Sequence, residues 1–320
     1  MYALLALTII LFGLIQLYFR IADRYNIIDR PNERSSHTKI TIRGGGVVFV
    51  FAGLAYALYT GFSTPWFWVG FLLMGGLGFA DDVLTLPSGR RLLAQLAATS
   101  MMLYEVFGVE QPWWIWLVAL IIATGISNAY NFMDGINGIT VLYSVVVLSA
   151  LAVANHYVSF TDPMLIYAFL VACVVFGYYN VRTTARCFAG DVGSVSIAFL
   201  IVYLLLELVV ATGNIAWSLL ILVYGVDTIL TLIRRIRKGE NIFEAHRQHL
   251  YQWMTRPGPY SHIQVSLIYA GFQIIAAALL LYAYSIDRFF YPTVISLILL
   301  YGFGYLYIRR RYVMTYKELD

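Results

Sequence analysis

Long apolar stretches, separated by short polar segments, run along the whole chain. A helix that crosses a bilayer needs about 20 mostly apolar residues, with a range of roughly 17–25. By that measure the pattern predicts about eleven transmembrane helices. They are placed near residues 2–19, 44–62, 66–80, 92–108, 113–127, 139–156, 163–180, 192–212, 215–233, 263–285 and 292–308. The pattern therefore predicts a single all-α, polytopic membrane domain over residues 1–320.

The composition favours a membrane protein over a soluble one. Hydrophobic residues make up 61% of the chain, charged residues only 12%, and the mean hydropathy is +0.75. A soluble domain is about half apolar and about a quarter charged. Cys173 lies in an apolar run and Cys187 in a polar segment, which does not indicate a disulfide framework. The net charge of +4 is modest, and no nucleic-acid partner is predicted.

The distribution of basic residues predicts the orientation in the membrane. With the eleven helices placed as above, all Lys and Arg residues except Arg288 fall in alternate loops and the C-terminal tail. Because short cytoplasmic loops are enriched in Lys and Arg, the N-terminus is predicted outside and the C-terminus in the cytoplasm. The first apolar run lacks a cationic start and a small-residue cleavage site, so it is expected to be a retained helix.

One polar stretch, from Asn128 to Gly138, stands between two uncharged apolar runs. A polar side chain recurs at every third position, and this spacing places successive side chains near one face of a helical turn. Such carboxylate and amide oxygens suit a hydrated divalent cation or a polar head group. A simple loop between two membrane helices is the alternative, because Asn, Asp and Gly are common in turns. The four spaced residues are Asn128, Asn131, Asp134 and Asn137.

Further acidic residues fall on the same predicted cytoplasmic face. Asp81 and Asp82 end the third helix, Asp191 precedes the eighth, and Asp227 lies late in the ninth. Acidic residues in or at the end of apolar helices are costly and usually mark a functional path. Alternatively, Asp191 caps the eighth helix and Asp227 pairs with a nearby arginine. Together these acids predict an active site at the cytoplasmic face.

Basic groups accompany the acids in two predicted cytoplasmic loops. Lys39 and Arg43 precede three glycines that open the second helix, and a glycine-rich helix start favours anions such as phosphate. In the loop between the ninth and tenth helices, His246, Arg247 and His249 have the spacing to grip a diphosphate. As zinc ligands the two histidines lack a cysteine or carboxylate at a suitable spacing.

Assembled, these residues describe a site for a phosphate-bearing substrate with magnesium, since phosphoryl transfer is catalysed mainly by positioning and electrostatics. At the bilayer surface one reactant can be a lipid phosphate and the other water-soluble.

An ion-coupled transporter is the competing class of protein. Against it, the acids cluster at one rim, and only Glu105 and Glu207 are candidates deeper in the membrane. A CDP-alcohol phosphotransferase would carry an Asp-Gly-x-x-Ala-Arg pattern, which is absent.

The motifs together resemble those of the polyprenyl-phosphate N-acetylhexosamine-1-phosphate transferases, relatives of the phospho-MurNAc-pentapeptide translocase. The resemblance covers nearly the whole chain. It rests on the Arg-Pro-Asn…Ser-His…Gly-Gly pattern of the first loop, Asp81-Asp82, Asn128-x-x-Asn-x-x-Asp-Gly-x-x-Gly138, Asn180 before Phe188-x-Gly-Asp-x-Gly-Ser194, and the loop 246–252.

The resemblance implies a reaction and a location. A sugar-1-phosphate would pass from a UDP-N-acetylhexosamine to undecaprenyl phosphate with release of UMP, starting a cell-envelope glycan. The cofactor would be Mg²⁺, with Mn²⁺ as the alternative ion. The protein would be a multi-pass component of the bacterial inner (cytoplasmic) membrane, in contact with the lipid bilayer, and a homodimer is left open.

The resemblance also implies roles for individual residues. Asp191 would bind the metal, Asp81 would activate the lipid phosphate, and Asp82 would support that phosphate or the metal. The nucleotide site would be lined by Asn128, Asn131, Asp134 and Asn180, with Asn137 and Lys39 as further substrate contacts. Apart from the resemblance, a pocket that must distinguish N-acetyl sugars needs hydrogen-bonding side chains, which loops readily supply. On that ground His246, Arg247 and His249 are predicted to hold the donor's phosphates and sugar, and Tyr251 and Gln252 to select the hexosamine.

Two positions depart from the family pattern. Many members have a second aspartate where this chain has Asn137, so a carboxylate there is dispensable or lost. Many also carry three histidines where this chain reads His-Leu-Tyr-Gln, residues 249–252. That variant resembles the branch that starts O-antigen or capsule chains, which leaves the sugar class open.

Overall fold

The computed structural model describes residues 2–29, 40–241, 246–256, 258–286 and 290–316. Almost all of this part of the chain is helical, in agreement with the all-α prediction. A 3-10 helix, Ile215–Ile221, leads directly into the ninth α-helix. The α-helices are α1 (Tyr2–Tyr25), α2 (Val47–Tyr59), α3 (Pro65–Leu84), α4 (Ser88–Phe107), α5 (Trp113–Met133), α6 (Ile139–Val158), α7 (Pro163–Asn180), α8 (Gly190–Thr212), α9 (Leu222–Arg237), α10 (Leu250–Thr255), α11 (His262–Ile286) and α12 (Phe290–Tyr316).

Each of the apolar segments predicted from the sequence is covered by a helix. Within the described residues, nine helices are long and apolar enough to cross a membrane, the 3-10 helix and α9 being taken as one. The apolar helix α2 is shorter, with 13 residues. Helix α4 begins with a polar turn, Ser88 to Arg91, so its apolar part is short. The chain is thus a helical protein of several membrane spans, and the number of spans and their orientation stay predictions.

The structure adds elements that the helical pattern does not contain. The six-residue helix α10 lies inside the segment predicted as a loop. Two strands of two residues each, β1 (Ile28–Asp29) and β2 (Thr41–Ile42), pair antiparallel, and Ile42 also bridges to Cys187. Strands this short carry no alternation of apolar and polar residues, so the sequence pattern could not reveal them.

Helix α8 forms the centre of the bundle. It is apolar on every side, and residues 192–205 are all buried. A helix that is hydrophobic all round is typical of a position enclosed by other helices. It packs against α2, α3, α5 and α6. This packing fixes the N-terminal turn of α8, and with it Asp191, where several helices converge.

Two glycines allow the backbone to approach that turn closely. A Cβ atom at Gly78 in α3 would lie 2.7 Å from the Cα of Val192. A Cβ atom at Gly46, just before α2, would overlap the Cα of Gly193. Small residues at helix contacts permit such short distances between backbones in membrane proteins. The first turn of α8 is therefore held between α2 and α3.

Gly78→Ala is expected to lower the free energy of unfolding by about 1–3 kcal/mol, because the added methyl group meets backbone atoms that cannot rotate away. Gly76→Ala is the matched control, since a Cβ at Gly76 meets nothing within 4 Å. Alanine there should be neutral or stabilising by up to about 1 kcal/mol through helix propensity. Thermal unfolding in detergent measures both. Equal effects of the two substitutions would contradict the close contact of α3 with α8.

Candidate active site

A cavity of about 500 Å³ lies where α3, α4, α5, α8 and α9 meet the segment that carries the histidines. Its wall contains carboxylates, amides and imidazoles beside apolar side chains. The structure thus brings together residues that are far apart in the sequence. The predicted site residues on its wall are Asp81, Asn128, Asn131, Asp191, His246 and His249.

Asp81 and Asp191 face one guanidinium group at one end of the cavity. Nη1 of Arg91 lies 2.7 Å from Oδ2 of Asp81 and 3.5 Å from Oδ2 of Asp191. The backbone N–H of Leu86 donates to the other oxygen of Asp81 at 2.6 Å. The side chain of Asp191 is 17% exposed and that of Asp81 only 6%. Asp191 is therefore the carboxylate that a ligand in the cavity reaches more easily.

Asp82 lies behind this pair, with a fully buried side chain. The backbone N–H groups of Asp191 and Val192 donate to its two oxygens at 2.9 and 3.1 Å. Nε of Arg43 lies 2.7 Å from Oδ1. Asp82 therefore caps the first turn of α8 from a neighbouring helix and anchors the backbone of Asp191. Its predicted metal contact would require one of these donors to move.

Gly45 and Gly46, two of the three glycines before α2, do not present free donors, which argues against a phosphate site on their backbone. The N–H of Gly45 donates to the carbonyl of Phe188 at 2.8 Å, and that of Gly46 to the carbonyl of Ala189 at 3.0 Å. These glycines serve close packing against the start of α8. Lys39, the predicted substrate contact of the same loop, lies outside the described residues.

The polar stretch that follows Ser127 divides into two halves. Asn128 and Asn131 lie on the last turns of α5 and line the cavity, as their spacing predicted. The side-chain amide of Asn128 donates to Oε1 of Gln95 at 3.0 Å and to the carbonyl of Thr124 at 2.9 Å. The helix ends at Met133. Beyond it the chain turns, and the later polar residues leave the cavity wall.

Asp134 faces the start of α6. Its Oδ1 accepts a hydrogen bond from the hydroxyl of Thr140 at 2.5 Å. Burial raises the pKa of Asp134 to about 6, so this carboxyl group takes up a proton just below neutral pH. The residue is not on the wall of the cavity described above, and its predicted nucleotide contact stays a prediction.

Asn137 and Asn180 join the turn before α6 to the loop after α7. The amide of Asn137 donates to the carbonyl of Arg182 at 2.9 Å. Asn180 accepts from the N–H of Gly138 at 2.8 Å and donates to the carbonyl of Cys187 at 2.9 Å. Both side chains are buried and connect backbone segments. The expectation that Asn180 lies beside Asn128 on the same wall is not met.

Two imidazole rings form the opposite end of the cavity. The ring centroids of His246 and His249 are 5.0 Å apart. Among the described residues, Nδ1 of His246 and Nε2 of His249 have no hydrogen-bond partner. Burial, and then the neighbouring His249, lower the pKa of His246 to about 4. At neutral pH His246 is therefore uncharged and offers hydrogen bonding without a positive charge.

The other residues of the predicted donor-binding loop stand off the cavity wall. Arg247 is exposed to solvent. The hydroxyl of Tyr251 is directed to the carbonyl of Phe132 at 3.0 Å, and the ring is buried. Oε1 of Gln252 accepts from the N–H of His249 at 3.2 Å and completes the cap of α10. Of the five loop residues, His246 and His249 line the cavity, and the predicted contacts of all five with the donor stay predictions.

Among the described residues, Asp227 forms no ion pair with an arginine, contrary to the alternative considered from the sequence. It is 1% exposed and lies 3.2 Å from Nδ1 of His249. Sequence reasoning also missed Arg91 and Gln95, which both line the cavity from α4. Their separation of four residues puts them on one helix face. That spacing in the sequence could have indicated a shared helix face. From the sequence, Arg91 is interpreted only as one of the basic residues that predict the orientation in the membrane.

The carboxylate end suits a metal that is shared with a substrate. Among the described residues, no group of three or more His, Cys, Asp or Glu side chains is placed to hold a metal ion. Mg²⁺ usually takes one or two protein carboxylates and completes its shell with water and phosphate oxygens. Asp191 and Asp81 provide two carboxylates, which is the number that Mg²⁺ bound in this way requires from the protein. The donor set therefore fits magnesium bound jointly by protein and phosphate.

The sequence model of glycosyl transferase family 4 matches residues 64–209. A Bacillus subtilis protein named probable undecaprenyl-phosphate N-acetylglucosaminyl 1-phosphate transferase is 29% identical, over 82% of this chain and 79% of that protein. Proteins named undecaprenyl-phosphate alpha-N-acetylglucosaminyl 1-phosphate transferase are 27% identical in Yersinia pestis and 26% in Escherichia coli K12. The match with the Yersinia pestis protein covers 75% of this chain and 72% of that protein. The match with the Escherichia coli protein covers 93% of this chain and 89% of that protein.

The chain is similar to glycosyl transferase family 4 over residues 64–209 and to these undecaprenyl-phosphate transferases over most of its length. The region matched by the family model runs from α3 to α8. It contains the carboxylate end of the cavity, with Asp81, Asp82 and Asp191, and the amide wall with Asn128. The histidine segment follows that region. The part of the chain that the family model matches is thus the part that surrounds the carboxylates.

Proposed function

We propose that this protein transfers an N-acetylhexosamine-1-phosphate from a UDP-sugar to undecaprenyl phosphate, releasing UMP. The names of its relatives support the acceptor and the type of transfer. The observation that carries the proposal is the cavity itself, with accessible carboxylates at one end and unpartnered imidazole nitrogens at the other. A diphosphate substrate needs groups that hold a shared metal ion, for which the carboxylates are suited, and hydrogen-bonding groups, for which the imidazoles are suited.

The reaction exchanges one P–O bond for another. An oxygen of the lipid phosphate forms a bond to the phosphorus that carries the sugar. The bond from that phosphorus to the bridging oxygen of the diphosphate breaks, and UMP leaves with that oxygen. Because charge spreads over the phosphoryl oxygens during such a transfer, catalysis depends mainly on positioning and charge compensation.

We assign the carboxylate end to the acceptor and the transferred phosphoryl group. Arg91 contacts both Asp81 and Asp191, and an incoming phosphate would add negative charge beside these two carboxyl groups, which favours a further cation there. Magnesium, held by Asp191 and Asp81, would supply that charge compensation when bound. Arg91 orients the two carboxylates and attracts phosphate oxygens. Asp82 holds the first turn of α8, and with it Asp191, in place.

We assign the imidazole end and the amide wall to the donor. His246 and His249 line the cavity, and each has one buried ring nitrogen without a partner among the described residues. Asn128 and Asn131 line the wall between the two ends. Hydrogen bonds from such side chains fix a diphosphate and its uridine or sugar relative to the acceptor. The product would start a cell-envelope glycan such as an O-antigen or a capsule chain.

One of the two deeper acidic residues, Glu105, has a structural role that weakens the transporter alternative. Oε2 of Glu105 accepts hydrogen bonds from the backbone N–H groups of Trp66 at 2.8 Å and Phe67 at 3.3 Å. These are the first-turn donors of α3, which a helix of this kind must satisfy. Glu105 thus acts as a helix cap, which is a structural role and no step on an ion path.

The test uses purified protein with undecaprenyl phosphate, Mg²⁺ and a panel of UDP-N-acetylhexosamines. We expect UMP release with at least one donor, dependent on both the lipid and the metal ion. The control omits undecaprenyl phosphate, so that hydrolysis of the donor is measured separately. Absence of UMP with every donor, in protein that retains its thermal transition, would overturn the proposed function.

A further inference from the structure

Gln95 is a polar residue of α4 that lines the cavity and has leucine and alanine as its neighbours in the chain. It is only 6% exposed. Its Oε1 accepts a hydrogen bond from Nδ2 of Asn128 in α5 at 3.0 Å. Burying an amide is costly unless its polar groups find partners. The bond to Asn128 accounts for the oxygen of the Gln95 amide and leaves its nitrogen to be explained.

The hydrogen bonds of Asn128 fix the orientation of the Gln95 amide. Nδ2 of Asn128 donates to Oε1 of Gln95 and also to the carbonyl oxygen of Thr124 at 2.9 Å. Because a carbonyl oxygen only accepts hydrogen bonds, the Asn128 amide must turn its nitrogen toward Thr124. Rotating the Gln95 amide by half a turn would place its N–H groups against those of Asn128. The N–H groups of Gln95 therefore lie at the end of the amide that is turned away from Asn128.

This nitrogen is a donor without a protein acceptor. Among the described residues, Nε2 of Gln95 has no hydrogen-bond partner, and it is not one of the unpartnered atoms that are closed to solvent. The space that Gln95 lines is the cavity. Arg91, four residues earlier, lies on the same face of α4 and contacts Asp81 and Asp191. Helix α4 thus presents a guanidinium and a carboxamide donor next to each other at the carboxylate end.

We propose that Gln95 is a substrate-contacting residue whose Nε2–H groups donate to a phosphoryl oxygen bound beside Arg91. The proposal rests on the proposed function, which places the acceptor phosphate and the transferred phosphoryl group at the carboxylate end. A hydrogen bond to a charged acceptor is roughly twice as strong as one between neutral groups. An uncharged amide supplies this directed donor without placing a second protein cation beside a bound Mg²⁺. Asn128 holds the amide in position through Oε1.

The alternative role of Gln95 is to join α4 to α5. One turn further along α4, the hydroxyl of Thr124 donates to that of Thr99 at 3.5 Å, so these helices share a second polar contact. Thr99 is 1% exposed, and neither threonine lines the cavity. The threonine pair is therefore a structural contact. Gln95 differs from it because only the oxygen of its amide is used between the helices.

Two substitutions at residue 95 separate the two roles. Gln95→Glu keeps an oxygen that accepts from Asn128 and replaces the N–H groups with a second oxygen. The N–H of Asn128 and the guanidinium of Arg91, one turn away, both favour the ionised form of that glutamate. Gln95→Met has a similar length and loses both functions. UMP release is measured with Mg²⁺ and with varied undecaprenyl phosphate and UDP-N-acetylhexosamine, and thermal unfolding in detergent reports whether each variant is folded.

We expect Gln95→Met to lower kcat/KM for undecaprenyl phosphate about 10-fold or more, since a hydrogen bond to a charged group is lost. Gln95→Glu should lower it at least as far, because a negative oxygen then faces the phosphate. The kinetic constants also distinguish the two phosphates. A fall in kcat assigns the contact to the transferred phosphoryl group, and a raised KM for undecaprenyl phosphate alone assigns it to the acceptor.

A structural role gives the opposite order. Gln95→Glu then keeps the contact with Asn128 and stays within about twofold of wild type, while Gln95→Met loses activity together with thermal stability. That order overturns the proposal, and so does activity within about twofold of wild type in both variants. A loss confined to KM for the UDP-sugar also overturns it, because it places Gln95 at the sugar or the uracil. Failure of the proposed function is separate, since it is absence of UMP release by wild-type protein.

Thr99→Val is the matched control for the packing of α4 against α5. Valine has nearly the shape of threonine and removes the hydroxyl that accepts from Thr124. We expect a thermal transition lowered by a few degrees, with kcat/KM for undecaprenyl phosphate within about twofold of wild type. A loss as large as in Gln95→Met would mean that a weaker contact between the two helices accounts for the lost activity, and the proposal would fall.

Gln264→Glu is the matched control for the added negative charge. Gln264 is exposed near the start of α11, does not line the cavity, and accepts through Oε1 from the N–H of Ser261 at 2.9 Å. Glutamate there should leave kcat/KM for undecaprenyl phosphate within about twofold of wild type. A loss equal to that of Gln95→Glu would show a general effect of protein charge on the anionic substrates, which contradicts a contact at residue 95.

Discussion

Asp191→Asn is expected to lower kcat by on the order of 1,000-fold or more, while the protein still folds. Asp191 is the most accessible carboxylate at the acidic end of the cavity, and asparagine has nearly the same shape without the charge. The N–H of residue 191 still donates to Asp82, so the first turn of α8 keeps its cap. Initial rates of UMP release at saturating substrates, with a Mg²⁺ titration, measure the effect.

Asp23→Asn is the matched control for that substitution. Asp23 is an exposed carboxylate near the end of α1, and its loss should leave kcat within about twofold of wild type. Thermal unfolding of both variants separates lost chemistry from lost folding. Normal turnover of Asp191→Asn with an unchanged Mg²⁺ requirement would remove Asp191 from the reaction.

Arg91→Ala is expected to lower kcat/KM for the lipid phosphate about 100-fold. Its guanidinium contacts both Asp81 and Asp191, so alanine leaves two neighbouring carboxyl groups at one end of the cavity without that guanidinium. Arg91→Lys should recover only part of the loss, because an ammonium group is a point charge and lacks the planar fork of a guanidinium. Steady-state kinetics with varied undecaprenyl phosphate and varied donor measure the two kcat/KM values.

Arg90→Ala is the control, since Arg90 neighbours Arg91 in the chain but is exposed and does not line the cavity. It removes the same charge from the same predicted cytoplasmic loop. If both alanine variants lower kcat/KM equally, the loss comes from weaker attraction of the charged lipid to the protein surface and not from the contact of Arg91 with the carboxylates. A loss confined to the donor would place Arg91 in the nucleotide site.

The sequence predicted the helical framework well because membrane helices are encoded locally. Each span is a continuous apolar run, and α8 shows its central place by being apolar on every side. The same logic located Asp81, Asp191 and Asn128, which interrupt or end such runs. A polar residue in an apolar run is conspicuous in the sequence, and the structure places these three on one cavity wall.

What the sequence could not predict depends on contacts between distant segments. Asp82 accepts a hydrogen bond from the backbone of Asp191, 109 residues later, and no local pattern reports that bond. Gly45 and Gly46 before α2 match an anion-binding pattern. Their N–H groups, however, donate hydrogen bonds to carbonyl groups of the loop that precedes α8. Tyr251 and Gln252 belong to a polar loop, but a short helix turns them away from the cavity. Spacing along a loop does not fix the direction of its side chains.

The most direct measurement follows each phosphorus atom of the donor. UDP-N-acetylhexosamine labelled at the phosphorus that carries the sugar is incubated with the protein, undecaprenyl phosphate and Mg²⁺, and lipid and aqueous products are separated. The account predicts that this label enters the lipid fraction as a sugar-linked diphosphate, while label at the uridine-linked phosphorus appears in UMP. Release of UDP that carries both labels, with an unlabelled sugar on the lipid, would contradict transfer of a sugar-1-phosphate.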